Sequence, residues 1–126
     1  MDFVFLDTNY LVALVYSDVA AGDEVRHWIQ QGREPSTSAA AWAEFLSGSL
    51  EGADRRAIEA LLEDRVAPFG KSEAECAAHL YRVGRCKRED RLDTFIAATA
   101  IVADGWLATR NRRDFLRFVP FGLKLA

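Results

Sequence analysis

The chain has 126 residues, half of them hydrophobic and 28% charged, which suits one folded domain with a real core and argues against disorder. No run approaches the ~18 apolar residues needed to span a bilayer, and the opening apolar run stops at Asp7 with no basic leader, so the expected location is the cytoplasm. The net charge of −3 argues against nucleic-acid binding, but residues 82–117 hold nine of the 16 Lys and Arg against five acids, net +4, while the remainder is −7.

Phe3 to Leu6 is a continuous apolar run of the kind found in a strand buried on both faces. Asp7-Thr8-Asn9 ends it with capping residue types, and Tyr10 to Tyr16 reads as a buried helix. A second helix is expected from about Asp23 to Gln31, stopping at Gly32, and a weak second strand over Pro35 to Ser38. Ser38 or Thr37 can cap a helix over Ala39 to Leu46, which is apolar nearly all round and therefore expected to be buried. Asp54 to Asp64 is amphipathic, with Ala57, Ile58, Leu61 and Leu62 on one stripe. Val66 to Phe69 reads as a third strand, and Ser72 as the cap of a long helix carrying Cys76, Ala77, Leu80, Tyr81 and Val83. Leu92 to Asp104 is a strong helix with Gly105 as its stop, followed by a fourth strand over Trp106 to Ala108. Asn111 to Phe115 reads as a short turn or helix, and a fifth strand is expected somewhere from Phe118 onward. Strands alternating with helices imply a parallel sheet covered on both faces, with ligands bound beyond the carboxyl ends of the strands.

Most acids here fall on polar helical faces. Four do not. Asp7 follows a buried strand, where it can cap the next helix or face a crevice. Glu44 sits among alanines and large apolar groups, either desolvated or at the edge reaching water. Asp93 opens a helix and shares a face with Ile96 and Ala97, which are core residues; a first-turn acid favoured by the helix dipole is the other reading. Asp114 stands among Arg110, Arg112, Arg113 and Arg117, where a local ion pair is the simpler role. Four such acids near one sheet rim would repel each other, and a hard dication relieves that repulsion. Carboxylates, hydroxyls and amides fit Mg²⁺ or Mn²⁺ and fit zinc poorly.

At these residues the chain resembles the PIN-domain ribonucleases, most closely the toxin component of VapBC-type toxin–antitoxin pairs. The matching stretches are Leu6-Asp7-Thr8-Asn9, Ala43-Glu44-Phe45-Leu46, Asp93-Thr94-Phe95-Ile96-Ala97-Ala98 and Thr109-Arg110-Asn111-Arg112-Arg113-Asp114-Phe115, in that order across nearly the whole chain. The resemblance implies an α/β three-layer sandwich in a single nuclease domain over residues 1–126, with a parallel sheet of four to five strands in order 3-2-1-4-5. It implies Mg²⁺- or Mn²⁺-dependent cleavage of RNA at an acidic site of Asp7, Glu44, Asp93 and Asp114, which would leave 5′-phosphate and 3′-hydroxyl ends. Thr109 matches the Ser/Thr that helps organise that site, and Asn9 and Asn111 match recurrent polar neighbours. Homodimers and inhibition by a small antitoxin protein are implied as well.

Arg110, Arg112 and Arg113 beside Asp114 are candidates to clamp RNA phosphates, with Arg85, Lys87, Arg88 and Arg91 extending the track. Trp42 can stack on a base or pack in the core. Two rival readings stand beside the ribonuclease. A haloacid-dehalogenase-type phosphatase also uses an Asp after the first strand, but wants a second Asp where Asn9 stands. A PIN domain that binds RNA without cutting it would keep the fold alone. Cys76 and Cys86 lack metal-site spacing and read as unpaired thiols, and His27 and His79 as ordinary surface or boundary residues.

Overall fold

The computed structural model describes residues 2–126. Five strands form one parallel sheet in the order β3-β2-β1-β4-β5. They are β1 (Asp2–Leu6), β2 (Arg33–Ser38), β3 (Val66–Ala67), β4 (Trp106–Ala108) and β5 (Lys124–Leu125). The helices are α1 (Thr8–Val15), α2 (Val19–Gln30), α3 (Ala39–Leu46), α4 (Gly52–Leu62), α5 (Lys71–Val83), α6 (Arg91–Val102) and the single turn α7 (Arg112–Phe115). None is long and apolar enough to cross a membrane.

Alternation along β1 divides the core in two. Val4 and Leu6 point to one face and pack with Leu11, Val25, Trp28, Phe45, Ile58 and Leu62 from α1 to α4. Phe5 points to the other and packs with Leu80, Ile96, Ala97, Phe115 and Phe118. Both faces of the sheet are therefore covered, which is why β1 shows a continuous apolar run instead of alternation.

The second strand reads weakly because Arg33-Glu34-Pro35-Ser36-Thr37-Ser38 has no aliphatic residue, yet Ser36, Thr37 and Ser38 are buried. Their polar atoms are used: Thr37 Oγ1 donates to Leu6 O at 2.7 Å, and Ser38 Oγ accepts from Ala41 N at 3.0 Å, capping α3. Pro35 is tolerated because β3 pairs only with Thr37 and Ser38. On that open side the Pro35 carbonyl accepts instead from Arg65 Nε at 2.8 Å.

Most element ends shift by a residue or two from the sequence expectation, and four of the shifts have a clear local cause. α2 starts at Val19, not near Asp23, because Asp18 accepts from Ala21 N at 3.0 Å and caps it earlier. α5 is capped at Gly70, whose N–H donates to Glu73 Oε1 at 3.0 Å, and not at Ser72. β3 ends at Ala67, since Pro68 has no N–H to continue the ladder. Leu116–Phe121 is a 3-10 helix that buries Phe118, and the fifth strand begins only at Lys124. Gly105 is needed for close approach: a Cβ there would lie 2.6 Å from Phe5 Cε2. The left-handed residue that ends the α6 segment is Asp104, with φ 53°.

Candidate active site

The register of β1 against β4 pairs Leu6 with Ala108. One step further along both strands, Asp7 and Thr109 become neighbours, and Asp7 N donates to Ala108 O at 2.9 Å. Asp7 is 5% exposed, and both of its carboxylate oxygens accept hydrogen bonds. Thr8 N donates to Oδ1 at 2.8 Å, so the capping role is filled. Thr109 Oγ1 donates to Oδ2 at 2.7 Å, and Asn9 Nδ2 approaches the same oxygen at 3.5 Å. Thr109 Oγ1 in turn accepts from Asn111 N at 3.0 Å, and Asn9 Oδ1 accepts from Arg110 N at 3.2 Å. The loops after β1 and β4 are thus laced together around one carboxylate.

Asp7, Glu44 and Asp93 line a single cleft of about 650 Å³, together with Thr8, Asn9, Arg110 and Asn111. Three elements converge there: the start of α1, the last turns of α3 and the first turn of α6. Asp93 is half-buried and shares its face with Ile96, which is in the core and also borders the cleft. Burial raises the Asp7 carboxyl above the usual range, against the hydrogen bonds of Thr109 and Thr8, and Glu44 adds repulsion. Asp93 is pushed up to about 6, by burial first, then by the charges of Asp7 and Asp114.

The other two acids face solvent. Glu44 is exposed, because the polar face of α3 carries Ala43 and Glu44 outward while Ala41 and Phe45 go inward. Asp114 is also exposed and does not line the cleft, although its charge reaches Asp93. Among the described residues it makes no ion pair, so the expected pairing with a neighbouring arginine is absent.

The cleft's donor chemistry suits a hard cation: carboxylates, a hydroxyl and side-chain amides, with no thiol or imidazole. Among the described residues no group of three or more His, Cys, Asp or Glu stands close enough to hold an ion as placed. Mg²⁺ commonly takes one or two carboxylates and keeps its remaining sites for water, so a cleft lined by Asp7 and Asp93 is compatible with that ion and not with one demanding an all-protein cage.

The arginines are more occupied than their spacing suggested. Arg110 forms a two-point ion pair with Asp18, at 2.9 and 3.1 Å, and lies over the Tyr10 ring at 5.5 Å. This pairing holds Asp18 down to about 2. Arg112 donates to Ala126 O at 2.6 Å. Arg113, Arg85, Lys87 and Arg88 are exposed, and Arg91 leans over the Tyr81 ring at 5.9 Å. Sequence reasoning missed Asp18 as a partner for Arg110; its capping of α2 was the available signal. It also missed Arg117, which pairs with Asp90 at 3.4 Å just before α6, lowers the Asp93 carboxyl against the other charges, and keeps a buried Nε without a hydrogen-bond partner. Trp42 packs on Phe45 at 5.4 Å, in keeping with the core alternative. Burial raises the thiols of Cys76 and Cys86, which are unpaired. His27 and His79 are exposed.

The model of the PIN domain matches residues 4–119. The chain belongs to the PIN-domain family. Solved structures with this PIN fold include a toxin–antitoxin complex from Klebsiella pneumoniae, 23% identical, with 92% of this chain and 91% of that one covered and a TM-score of 0.73. FitAcB from Neisseria gonorrhoeae is 20% identical, with 97% and 95% covered and a TM-score of 0.75. VapBC2 from Rickettsia felis, solved bound to a DNA fragment from its promoter, is 18% identical, with 98% and 97% covered and a TM-score of 0.70. No curated protein matches the sequence. PIN-family membership sets the haloacid-dehalogenase alternative aside; Asn9, at the position where that chemistry wants an acid, serves here as a link between Asp7, Thr109 and Arg110.

Proposed function

We propose that this PIN domain is a Mg²⁺- or Mn²⁺-dependent endoribonuclease and the toxin of a toxin–antitoxin pair. The observation that carries the nuclease reading is two carboxyl groups, Asp7 and Asp93, lining one cleft, where burial and then the charges of Asp7 and Asp114 raise Asp93 to about 6. Like charges held together by a fold call for a cation. When bound, the dication supplies Lewis-acid activation of a water and neutralises charge on the scissile phosphate.

The chain's own groups do the rest. Thr109 and Thr8 hold the Asp7 carboxylate in one orientation, so its free lone pairs are aimed without reorganisation. Asp93 supplies the second charge from the first turn of α6. Glu44, exposed and lining the cleft, is in this reading the group that accepts the proton of the attacking water. Asp114 acts from outside the cleft through its field on Asp93. Arg113, exposed beside this group, binds the phosphate backbone, with Arg85, Lys87, Arg88 and Arg91 contributing charge along the approach to α6. Arg110 joins only after leaving Asp18, and Arg112 after leaving Ala126.

The toxin assignment rests on the solved structures described as toxin–antitoxin complexes and on the motif resemblance. Homodimerisation, a small antitoxin partner and a cytoplasmic site of action belong to the same reading, as does one nuclease domain over the whole chain. The test is incubation of the purified protein with single-stranded RNA, with Mn²⁺ or with chelator. Cleavage that needs metal, leaves 5′-phosphate ends and vanishes in Asp93→Asn is expected. RNA binding without Mn²⁺-dependent cleavage would replace this reading with the non-catalytic one.

A further inference from the structure

Tyr16 stands out on the rim of the acidic cleft. Its side chain is 77% exposed, yet it lines the same cleft as Asp7, Glu44 and Asp93. It makes no aromatic pair, cation contact or side-chain hydrogen bond among the described residues. Its backbone, by contrast, is well held: Tyr16 N donates to Val12 O at 3.2 Å, and the residue closes α1 as its C-cap. The chain then turns at once, with Ser17 at φ 55° and Asp18 N donating to Ala13 O at 3.0 Å. An aromatic ring on a fixed backbone, exposed at the rim of a cleft, offers a flat apolar face that gains free energy when a planar group covers it.

Val12, one helical turn back and 39% exposed, extends this wall along the cleft, and Arg110 forms part of the same lining. An exposed aromatic face and an aliphatic neighbour bordering a carboxylate cleft match a flat, unpaired base of a single-stranded nucleotide, while Arg110 stays paired with Asp18. Tyr16 is nine residues beyond Asp7, about 13 Å along the helix at 1.5 Å per residue. The ring and the Asp7 carboxylate thus come from opposite ends of α1, and the base concerned is one flanking the reacting phosphate.

We propose that Tyr16, backed by Val12, is a stacking platform for an unpaired RNA base flanking the cut site, and that it contributes to which single-stranded segment is cut. The proposal rests on the ribonuclease reading above. Stacking tolerates any base but demands that the base be unpaired and present.

The probe is a short single-stranded RNA of mixed sequence, with versions in which one base at a time is removed to leave the bare ribose. Binding is read by fluorescence anisotropy in chelator, and KM and kcat with Mn²⁺. Tyr16→Ala is expected to weaken binding and raise KM by roughly 5- to 160-fold with little change in kcat, the range of one base–aromatic contact. Tyr16→Phe and Tyr16→Trp retain wild-type values. One base removal should cost the wild type a similar factor and cost Tyr16→Ala almost nothing, because the two changes delete the same contact. The exposed site makes misfolding of the variants an easily checked matter of an unchanged thermal midpoint. Wild-type protein that binds and cuts the RNA while Tyr16→Ala matches it overturns the platform and leaves the nuclease reading standing; the ring then serves a protein contact. A Tyr16→Ala variant that still pays the full penalty for every removed base overturns it too. Wild-type protein that neither binds nor cuts this RNA removes both readings together.

Discussion

Burial, Asp7 and Asp114 push the Asp93 carboxyl up to about 6 in the folded chain, against about 3.9 when unfolded. Between those values the folded state binds the extra proton, so the Asp93 contribution to stability is lost as pH rises through that window. Above it, ionised Asp93 is a standing cost in metal-free protein. Asp93→Asn removes that cost, less the favourable helix-dipole effect of a first-turn acid. Because the group is half exposed, solvent screening holds the gain to at most about 1 kcal/mol, or a few degrees in thermal midpoint. The expected pattern is a higher midpoint than wild type at mildly alkaline pH in chelator, and no difference near the unfolded pKa. A midpoint that is lower at both would show that Asp93 carries no strain. Thr109 has the opposite character: Thr109→Val removes the donor at 2.7 Å from a buried carboxylate and the acceptor for Asn111 N. A loss of about 1–3 kcal/mol by urea unfolding is expected, and a loss near zero would mean that water replaces the hydroxyl.

At the scale of elements, β2, which runs into α3 with its Glu44, and α6, which carries Asp93, set where two of the cleft's carboxylates stand. β2 lacks aliphatic side chains and is secured by hydroxyls, so Thr37→Val, nearly isosteric, tests the hydroxyl alone. It should cost about 1 kcal/mol and weaken the tie to Leu6 O, the carbonyl just before Asp7. α6 owes its placement to a tight exit, where Gly105 faces the Phe5 ring. Gly105→Ala should destabilise by about 1–3 kcal/mol through overpacking, with Phe5→Leu restoring part of it; failure of that rescue would place the strain elsewhere. The sequence showed α6 clearly, since its apolar run is long, and showed β2 poorly, since a buried strand held by Ser and Thr has no hydrophobic signature.

For the whole molecule, the proposed ion links folding to function. A dication that binds only the folded cleft stabilises it by about 2.7 kcal/mol at a hundred times its dissociation constant. Mn²⁺ titration should therefore raise the wild-type thermal midpoint and leave that of Asp93→Asn nearly flat; parallel shifts in both would remove Asp93 from the metal site. Charge is read at the same scale. Reversing Arg113, which has no partner to lose among the described residues, should weaken RNA binding and reduce the slope of log affinity against log salt by about 0.7 per phosphate contact. Arg110 reversal should do more damage to the protein itself, because it strands Asp18.

Asp7, Asp93 and Thr109 were legible in the chain because each sits at a fixed offset from a readable apolar segment: one residue past a strand, or in the first turn of a helix. The strand–helix alternation likewise announces a parallel layered fold. Which carboxylates share a cleft was settled only by the sheet order, which sets β4 beside β1 and brings Thr109 within hydrogen-bond reach of Asp7 across a separation of 102 residues. Burial was decided there too: Glu44 turned outward and Arg110 turned onto Asp18, because the direction of a side chain depends on what packs against its element, and local sequence carries no record of that neighbour.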